Sequence, residues 1–158
     1  MRTQTREKIV EMARQQGRVR PVELARALGI GKAALHRQLR KLEAEGKIIR
    51  EGKAPKVVYR VYDPEAEAKR IAVKIRPVLK KYKVSRADLF GSVAQGEMKP
   101  DSDVDVLVDL PRGGSPLGVV HLKQDLERLL GRKVDVVTYK SVHPYVRDYI
   151  FESTYEVI

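Results

Sequence analysis

The fold of this chain is decided by residues 89–108, which read LFGSVAQGEMKPDSDVDVLV. An apolar segment runs into a turn at Gly91 and Ser92, and ten residues later aspartates begin to alternate with valines. Side chains two positions apart on a strand share a face, so Asp103 and Asp105 point the same way while the valines point into a core. We therefore predict a strand, a small turn and a second strand that carries two carboxylates.

The residue types at this turn and strand favour one kind of ligand. Two neighbouring carboxylates repel each other unless a cation lies between them, and Mg²⁺ prefers oxygen ligands. Gly91 lets a ligand approach the backbone closely, and Ser92 offers a hydroxyl and an N–H near a predicted helix start, where phosphate binds well. The pattern predicts a site for a nucleoside triphosphate with Mg²⁺. The alternative is that the aspartates are solubilising charges at a strand edge.

The spacing of Gly-Ser, about ten residues and Asp-x-Asp resembles the nucleotidyltransferase superfamily that includes DNA polymerase beta. Within it, the sequence is most similar to the minimal nucleotidyltransferases, the MNT group. The resemblance covers roughly residues 83–158 and includes residues 130–138, where such proteins carry a third carboxylate on a neighbouring strand, here Asp135. It implies an enzyme that uses ATP as its substrate and Mg²⁺ as its cofactor.

The same resemblance implies roles for individual residues. It makes Asp103, Asp105 and Asp135 the metal-binding and catalytic residues, with Asp135 either a metal ligand or the general base for the attacking hydroxyl. It makes Gly91 and Ser92 the nucleotide-binding residues.

One position departs from the MNT pattern. Many members carry arginine after the alanine of the turn, where this chain has Gln95. If that arginine steadies phosphate, glutamine does so more weakly, and we expect a lower nucleotide affinity or activity.

The first part of the chain is strongly basic. Of the net charge of +11, residues 1–63 carry +9, from 16 lysines and arginines against 7 acidic side chains. Residues 64–158 carry only +2, from 16 against 14. This asymmetry favours a basic module that meets a polyanion, joined to a nearly neutral one. A basic surface that is simply solvated is the alternative.

Residues 3–62 show the order helix, short helix, glycine turn, helix and hairpin, and they resemble a winged helix-turn-helix domain. The third helix of such a domain enters the major groove of DNA. Many proteins with this domain bind two DNA half-sites as dimers, so a homodimer is an alternative to a monomer. The competing interpretation is a helical protein-interaction module. The predicted DNA-binding residues lie on the third helix and at the hairpin tip: Lys32, His36, Arg37, Arg40, Lys41, Lys53 and Lys56.

The predicted fold class is α+β. We expect a winged helix-turn-helix DNA-binding domain over 1–62, a linker helix over 63–82 and a minimal nucleotidyltransferase α/β domain with a short mixed sheet over 83–158. The predicted strands of the last domain cover 85–90, 103–110 and 133–138, and its predicted helices cover 93–97, 117–130 and 142–152. Four tyrosines are expected to pack the last helix rather than to serve as acceptors, with self-modification of a tyrosine as the alternative: Tyr139, Tyr145, Tyr149 and Tyr155.

The leading functional hypothesis also follows from the resemblance. MNT proteins are typically antitoxins paired with HEPN-family RNase toxins, and active members transfer AMP from ATP to a tyrosine of the toxin. The resemblance therefore implies a protein adenylyltransferase that modifies a HEPN-type toxin, binds DNA and represses its own operon. The alternative is a non-catalytic transcriptional regulator whose second half senses nucleotide or binds the toxin. A small-molecule nucleotidyltransferase is disfavoured, because about 75 residues leave no room for an acceptor domain.

The composition and the short apolar runs indicate the cellular compartment of the protein. The chain has no cysteine, which excludes disulfides and thiolate metal sites. Its apolar runs are too short to cross a bilayer, and residues 1–6 lead into no signal-like apolar segment. We predict a cytoplasmic protein with no membrane partner.

Overall fold

The structure is a computed structural model that describes residues 2–112 and 114–158. The chain forms two compact units, Met1–Asp63 and Pro64–Ile158. Among the described residues, no helix has both the length and the apolar character needed to cross a membrane.

The first unit has the predicted order of three helices followed by a hairpin. Its core contains apolar side chains from all of these elements, including Ile9, Leu24, Leu39 and Ile48, each no more than 1% exposed. The elements are α1 (Arg2–Gln16), α2 (Pro21–Leu28), α3 (Lys32–Ala44), β1 (Ile48–Glu51) and β2 (Val58–Val61). The two strands pair antiparallel, and an isolated bridge joins Val19 to Tyr59.

The turn between α2 and α3 follows from its sequence. Pro21 occupies the first helical position of α2, where its fixed φ is favourable and its missing N–H costs nothing. Gly29 ends the helix with a left-handed φ of 62°, and its N–H bonds back to the carbonyls of Ala25 and Arg26. This geometry allows α3 to start at Lys32 in a new direction, as the helix-turn-helix pattern predicts.

The second unit is built around a mixed sheet, as predicted, but the sheet has four strands rather than the three predicted. Its strand order is β5-β4-β3-β6, and only the β4–β5 pair is parallel. The strands are β3 (Arg86–Phe90), β4 (Val104–Asp109), β5 (Val134–Thr138) and β6 (Tyr155–Glu156). The helices are α4 (Pro64–Lys81), α5 (Ser92–Gln95), α6 (Pro116–Leu130) and α7 (Pro144–Glu152).

Helix α4 belongs to the core of the second unit. The range predicted as a linker, 63–82, buries five side chains along one stripe of this helix, and they join the same cluster as the buried valines of β4. Apolar residues at this helical spacing form a continuous face, which a sheet can cover. Pro77 lies inside the helix without ending it. The stripe consists of Ala68, Ile71, Ala72, Ile75 and Leu79.

Two features of the second unit differ from the expectations. Strand β6, which pairs antiparallel with β3, is only two residues long and was not predicted, because two residues carry no readable alternation. Helix α7 begins at Pro144 rather than at residue 142, since the His143 imidazole caps it by accepting a hydrogen bond from the Tyr145 N–H. A short 3-10 turn over Tyr139–Ser141 precedes it.

Candidate active site and nucleic-acid interface

The sheet register brings two of the predicted carboxylates together. In the parallel pair of β4 and β5, Asp105 is directly opposite Asp135. Residues opposite each other on neighbouring strands project from the same face, so the two side chains are neighbours. Asp103 precedes β4 by one residue, and Val104, Val106 and Val108 are fully buried, as the alternation predicts.

Gly91 brings the predicted nucleotide-binding turn against Asp105. A β-carbon at position 91 would collide with the Asp105 carboxylate oxygen Oδ2. Gly91 also has a φ of 68°, a conformation that other residues adopt only at a cost. Glycine is therefore required here both for close approach and for backbone conformation. Ser92, the next residue, begins the short helix α5.

The charges of the three aspartates act on one another. The pKa of Asp105 is raised from 3.8 to about 6, mainly by its partial burial and next by the negative charges of Asp135 and Asp103. Asp105 therefore carries its charge at neutral pH at a free-energy cost, which a bound cation would relieve. Asp135 is exposed, and its Oδ1 lies 3.6 Å from Lys123 Nζ, an exposed ion pair that contributes little to stability.

The three aspartates supply the donor atoms of the predicted metal site. Within residues 2–112 and 114–158, no group of three or more His, Cys, Asp or Glu side chains is gathered tightly enough to hold a metal ion. The negative charges of Asp103 and Asp135 act on Asp105, and the three-carboxylate metal site remains a prediction. Their donor chemistry, oxygen atoms only, fits a hard divalent cation.

A polar cluster on the sheet face that carries Asp105 and Asp135 was not predicted from the sequence. Asp88 on β3 is only 4% exposed, and it accepts a hydrogen bond from the Tyr139 hydroxyl and pairs with Arg86 at 3.3 Å. Burial, followed by the hydrogen bond to Asp88, raises the pKa of Tyr139 well above its usual value. The only signal in the sequence was a carboxylate between two apolar strand residues, Ala87 and Leu89.

The expectation that the tyrosines pack the last helix is wrong for Tyr145 and Tyr149. Their exposures are 92% and 67%, and α7 has no buried residue. The physical reason is that the core of the sheet is already filled on one face by α4 and α6, so α7 lies peripherally. The Gln95 side chain, which ends α5, donates a hydrogen bond to the Tyr149 hydroxyl at 3.4 Å.

The predicted DNA-binding residues form one exposed set in the first unit. Helix α3 buries Leu35, Leu39 and Leu42 on one side, which leaves its basic side chains in solvent. None of the predicted residues is ion-paired with another described side chain, so their charges are available to phosphates. The exposed residues are Lys32, His36, Arg37, Arg40 and Lys41 on α3, and Lys53 and Lys56 in the loop between β1 and β2.

Comparison with known families decides the class of the second unit. The model of the nucleotidyltransferase domain family matches residues 72–156, which is just over half of the chain. The chain belongs to the nucleotidyltransferase family. A second model, of winged helix-turn-helix DNA-binding domains, matches residues 2–49. The predicted combination of a winged helix-turn-helix domain with a minimal nucleotidyltransferase is confirmed.

Two named relatives match the second part of the chain. A protein of Methanocaldococcus jannaschii provisionally named a protein adenylyltransferase is 47% identical over 85 residues, which cover 54% of this chain and 91% of that protein. The protein adenylyltransferase MntA of Thermococcus cleftensis is 44% identical over 62 residues, or 39% of this chain and 63% of that protein.

Two solved structures share the fold of the second unit. A structure described provisionally as a minimal nucleotidyltransferase matches with a TM-score of 0.50 and 34% identity, over 58% of this chain and 93% of the other. A chain from the crystal structure of a toxin–antitoxin with AMP-PNP matches with a TM-score of 0.50 and 25% identity, over 55% of this chain and 72% of the other.

Proposed function

We propose that this nucleotidyltransferase moves AMP from ATP to a hydroxyl of a partner protein. The observation that carries the proposal is the in-register pair of Asp105 and Asp135 beside the turn at Gly91. The relatives named as protein adenylyltransferases support the reaction, and the fold shared with a toxin–antitoxin chain crystallised with AMP-PNP supports ATP as donor and a toxin as acceptor. The resemblance to MNT proteins implies a HEPN-type toxin as the partner, and we propose such a toxin as the acceptor.

Each residue of the site has a defined task in this proposal. Asp103 and Asp105 would hold Mg²⁺, which would supply the positive charge that offsets the negative charge developing on the phosphates. Gly91 keeps the turn against Asp105, and Ser92 presents its hydroxyl and N–H to the triphosphate. Asp135, which is exposed, would serve either as a further metal ligand or as the base that accepts the proton of the attacking hydroxyl. The acceptor oxygen bonds to the α-phosphorus, and pyrophosphate leaves.

The direct test is transfer of label from ATP. The chain is incubated with Mg²⁺, ATP labelled at the α-phosphate and the protein encoded beside it. We expect the partner to become labelled with wild type and not with the Asp103→Asn/Asp105→Asn variant. Asp101→Asn is the matched control, because this exposed loop carboxylate lies two residues away and has no proposed role. Equal labelling by wild type and the double variant would end the enzymatic proposal.

A second candidate is a regulator that binds nucleotide without turnover. It is favoured by the strongly basic first unit, since residues 1–63 carry +9 of the net charge of +11. Equilibrium binding of ATP by wild type, with no transfer to any protein and with a DNA affinity that changes with nucleotide, would select this candidate. Transfer to the partner would exclude it.

We also propose that the first unit binds DNA and represses the operon that encodes the chain. The proposal rests on the exposed cations of α3 and of the loop between β1 and β2. A homodimer reading two half-sites fits this arrangement. Sedimentation of the chain with a palindromic operator, compared with a single half-site, distinguishes two bound copies from one.

A further inference from the structure

Tyr149 stands next to the element that carries the nucleotide-binding turn. Its hydroxyl accepts a hydrogen bond from the Gln95 amide nitrogen at 3.4 Å. Gln95 ends α5, which starts at Ser92 directly after Gly91. Four helical residues span about 6 Å, so the residue that contacts the phenol lies about one turn from the glycine that meets Asp105.

The Tyr149 side chain is free to react. It is 67% exposed, and its hydrogen bond to Gln95 is longer than the usual 2.9–3.0 Å and therefore weak. Because α7 buries none of its residues, a change of rotamer at position 149 disturbs no core packing. Tyr139 is the opposite case, since its hydroxyl is committed to the buried Asp88.

We propose that Tyr149 is an internal acceptor, so that the chain adenylylates its own Tyr149 when ATP is present. The inference rests on the proposed function and extends it from a partner hydroxyl to a phenol of the chain itself. The Tyr149 oxygen forms a bond to the α-phosphorus of ATP, the bond from that phosphorus to the bridging oxygen breaks, and pyrophosphate leaves with the electron pair. The phenolic proton passes to a carboxylate of the site and from there to solvent.

The need to position the acceptor beside the phosphorus favours Tyr149 over Tyr145. The acceptor and its phosphorus must be held together, because positioning supplies most of the acceleration in phosphoryl-type transfers. Tyr145, one helical turn earlier, is more exposed at 92%, and its ring stacks on His143 with centroids 5.1 Å apart. Exposure alone would therefore favour Tyr145, whereas proximity to α5 favours Tyr149.

The experiment uses the full chain alone, with Mg²⁺ and ATP labelled at the α-phosphate, followed by peptide mapping by mass spectrometry. We expect an adenylyl group on Tyr149 of the wild type. The label is lost in Tyr149→Phe and in Asp103→Asn/Asp105→Asn, and it is kept in Tyr145→Phe. Mapping of the wild-type chain assigns the site directly, so the result does not depend on any variant folding.

The failures of the two proposals are distinguishable. If the neighbouring protein is labelled while this chain acquires no adenylyl group, the internal acceptor is refuted and the proposed function stands. A label on Tyr145, or spread over several exposed tyrosines, shows reaction by accessibility and also refutes the inference. If neither protein is labelled, the transferase proposal and the internal acceptor fall together.

Discussion

Gly91 is the residue where the backbone of the turn and the carboxylate of Asp105 meet. Its positive φ and the lack of space for a β-carbon are separate constraints, and the chain offers a position that has only the first. Gly96, five residues later, has a φ of 73° and nothing within 4 Å of where its β-carbon would be. Comparing the two shows how much more an added β-carbon costs at position 91 than at a position that requires only a positive φ.

Substitution of Gly91 by alanine should cost more than the same substitution at Gly96. At Gly96 the left-handed backbone costs an L-residue about 1–2 kcal/mol. Gly91, with a φ of 68° and a ψ of −146°, lies near a region that is essentially restricted to glycine, so its backbone cost is higher. At position 91 the new methyl group must also displace Asp105, so we expect loss of AMP transfer with Gly91→Ala and retention with Gly96→Ala. Thermal unfolding and transfer to the partner measure the two effects. Equal activity of the two variants would show that Gly91 is not needed for close approach.

Asp105 should make the protein less stable as the pH rises. Its pKa is about 6 in the folded chain against 3.8 for an ordinary aspartate, so the folded state binds the proton more tightly between these values. The destabilisation is absent below about pH 4, grows through this window and is complete above the folded pKa.

Asp105→Asn therefore should stabilise the chain at pH 7 and not at pH 4. Because Asp105 is only half-buried, solvent screening reduces the expected gain to about 1 kcal/mol. Urea unfolding at both pH values measures it, with Asp101→Asn as the control. A gain that is the same at both pH values would contradict the assignment of the effect to ionisation.

At the scale of elements, the contact that joins β3 to the turn after β5 is the pair Asp88 and Tyr139. Removing the hydroxyl in Tyr139→Phe leaves the buried carboxylate with fewer partners, although Arg86 remains beside it. We expect a loss of about 1–2 kcal/mol in the free energy of unfolding. Tyr145→Phe, which alters an exposed ring, should change it by less than about 0.5 kcal/mol.

A double-mutant cycle with Asp88→Ala, which removes both acceptor oxygens, separates this pair from its surroundings. Coupling between Tyr139 and Asp88 should make the double variant more stable than the sum of the two single losses implies. Additive losses would show that the hydroxyl contributes nothing through Asp88.

Elements that carry a strong local pattern could be predicted from the sequence. Helices α1, α3 and α6 have apolar periodicity and glycine ends, and β4 alternates aspartate with valine. Features stabilised by contacts between residues distant along the chain could not be predicted. The Asp88–Tyr139 bond spans 51 residues, and β6 is held by pairing with β3 rather than by its own two residues. For the same reason the exposure of Tyr149 and its contact with Gln95 could not be predicted.

At the scale of the whole molecule, the uneven charge predicts where salt acts. Residues 1–63 carry +9 of the net charge of +11. Each phosphate neutralised by a basic side chain adds about 0.9 to the slope of log affinity against log salt concentration. We expect Arg37→Ala/Arg40→Ala to weaken DNA binding at low salt and to reduce this slope by about 2.

The control for this prediction removes a cation from the second unit. Lys74→Ala on α4 changes the exposed charge without touching α3, and it should leave the slope unchanged. Gel retardation at several salt concentrations measures both variants. An equal effect of the two would mean that DNA is held by diffuse charge rather than by α3.

The central claim is that the carboxylates of β4 and β5, with the turn at Gly91, receive a metal-bound triphosphate. The most direct measurement is a crystal structure with Mn²⁺ and a non-hydrolysable ATP analogue, in which anomalous scattering locates the metal. We predict Mn²⁺ bound by oxygens of Asp103 and Asp105, with Asp135 facing the α-phosphate or the metal and the triphosphate against Gly91 and Ser92. A nucleotide and metal bound elsewhere, with these aspartates still facing solvent, would contradict the account.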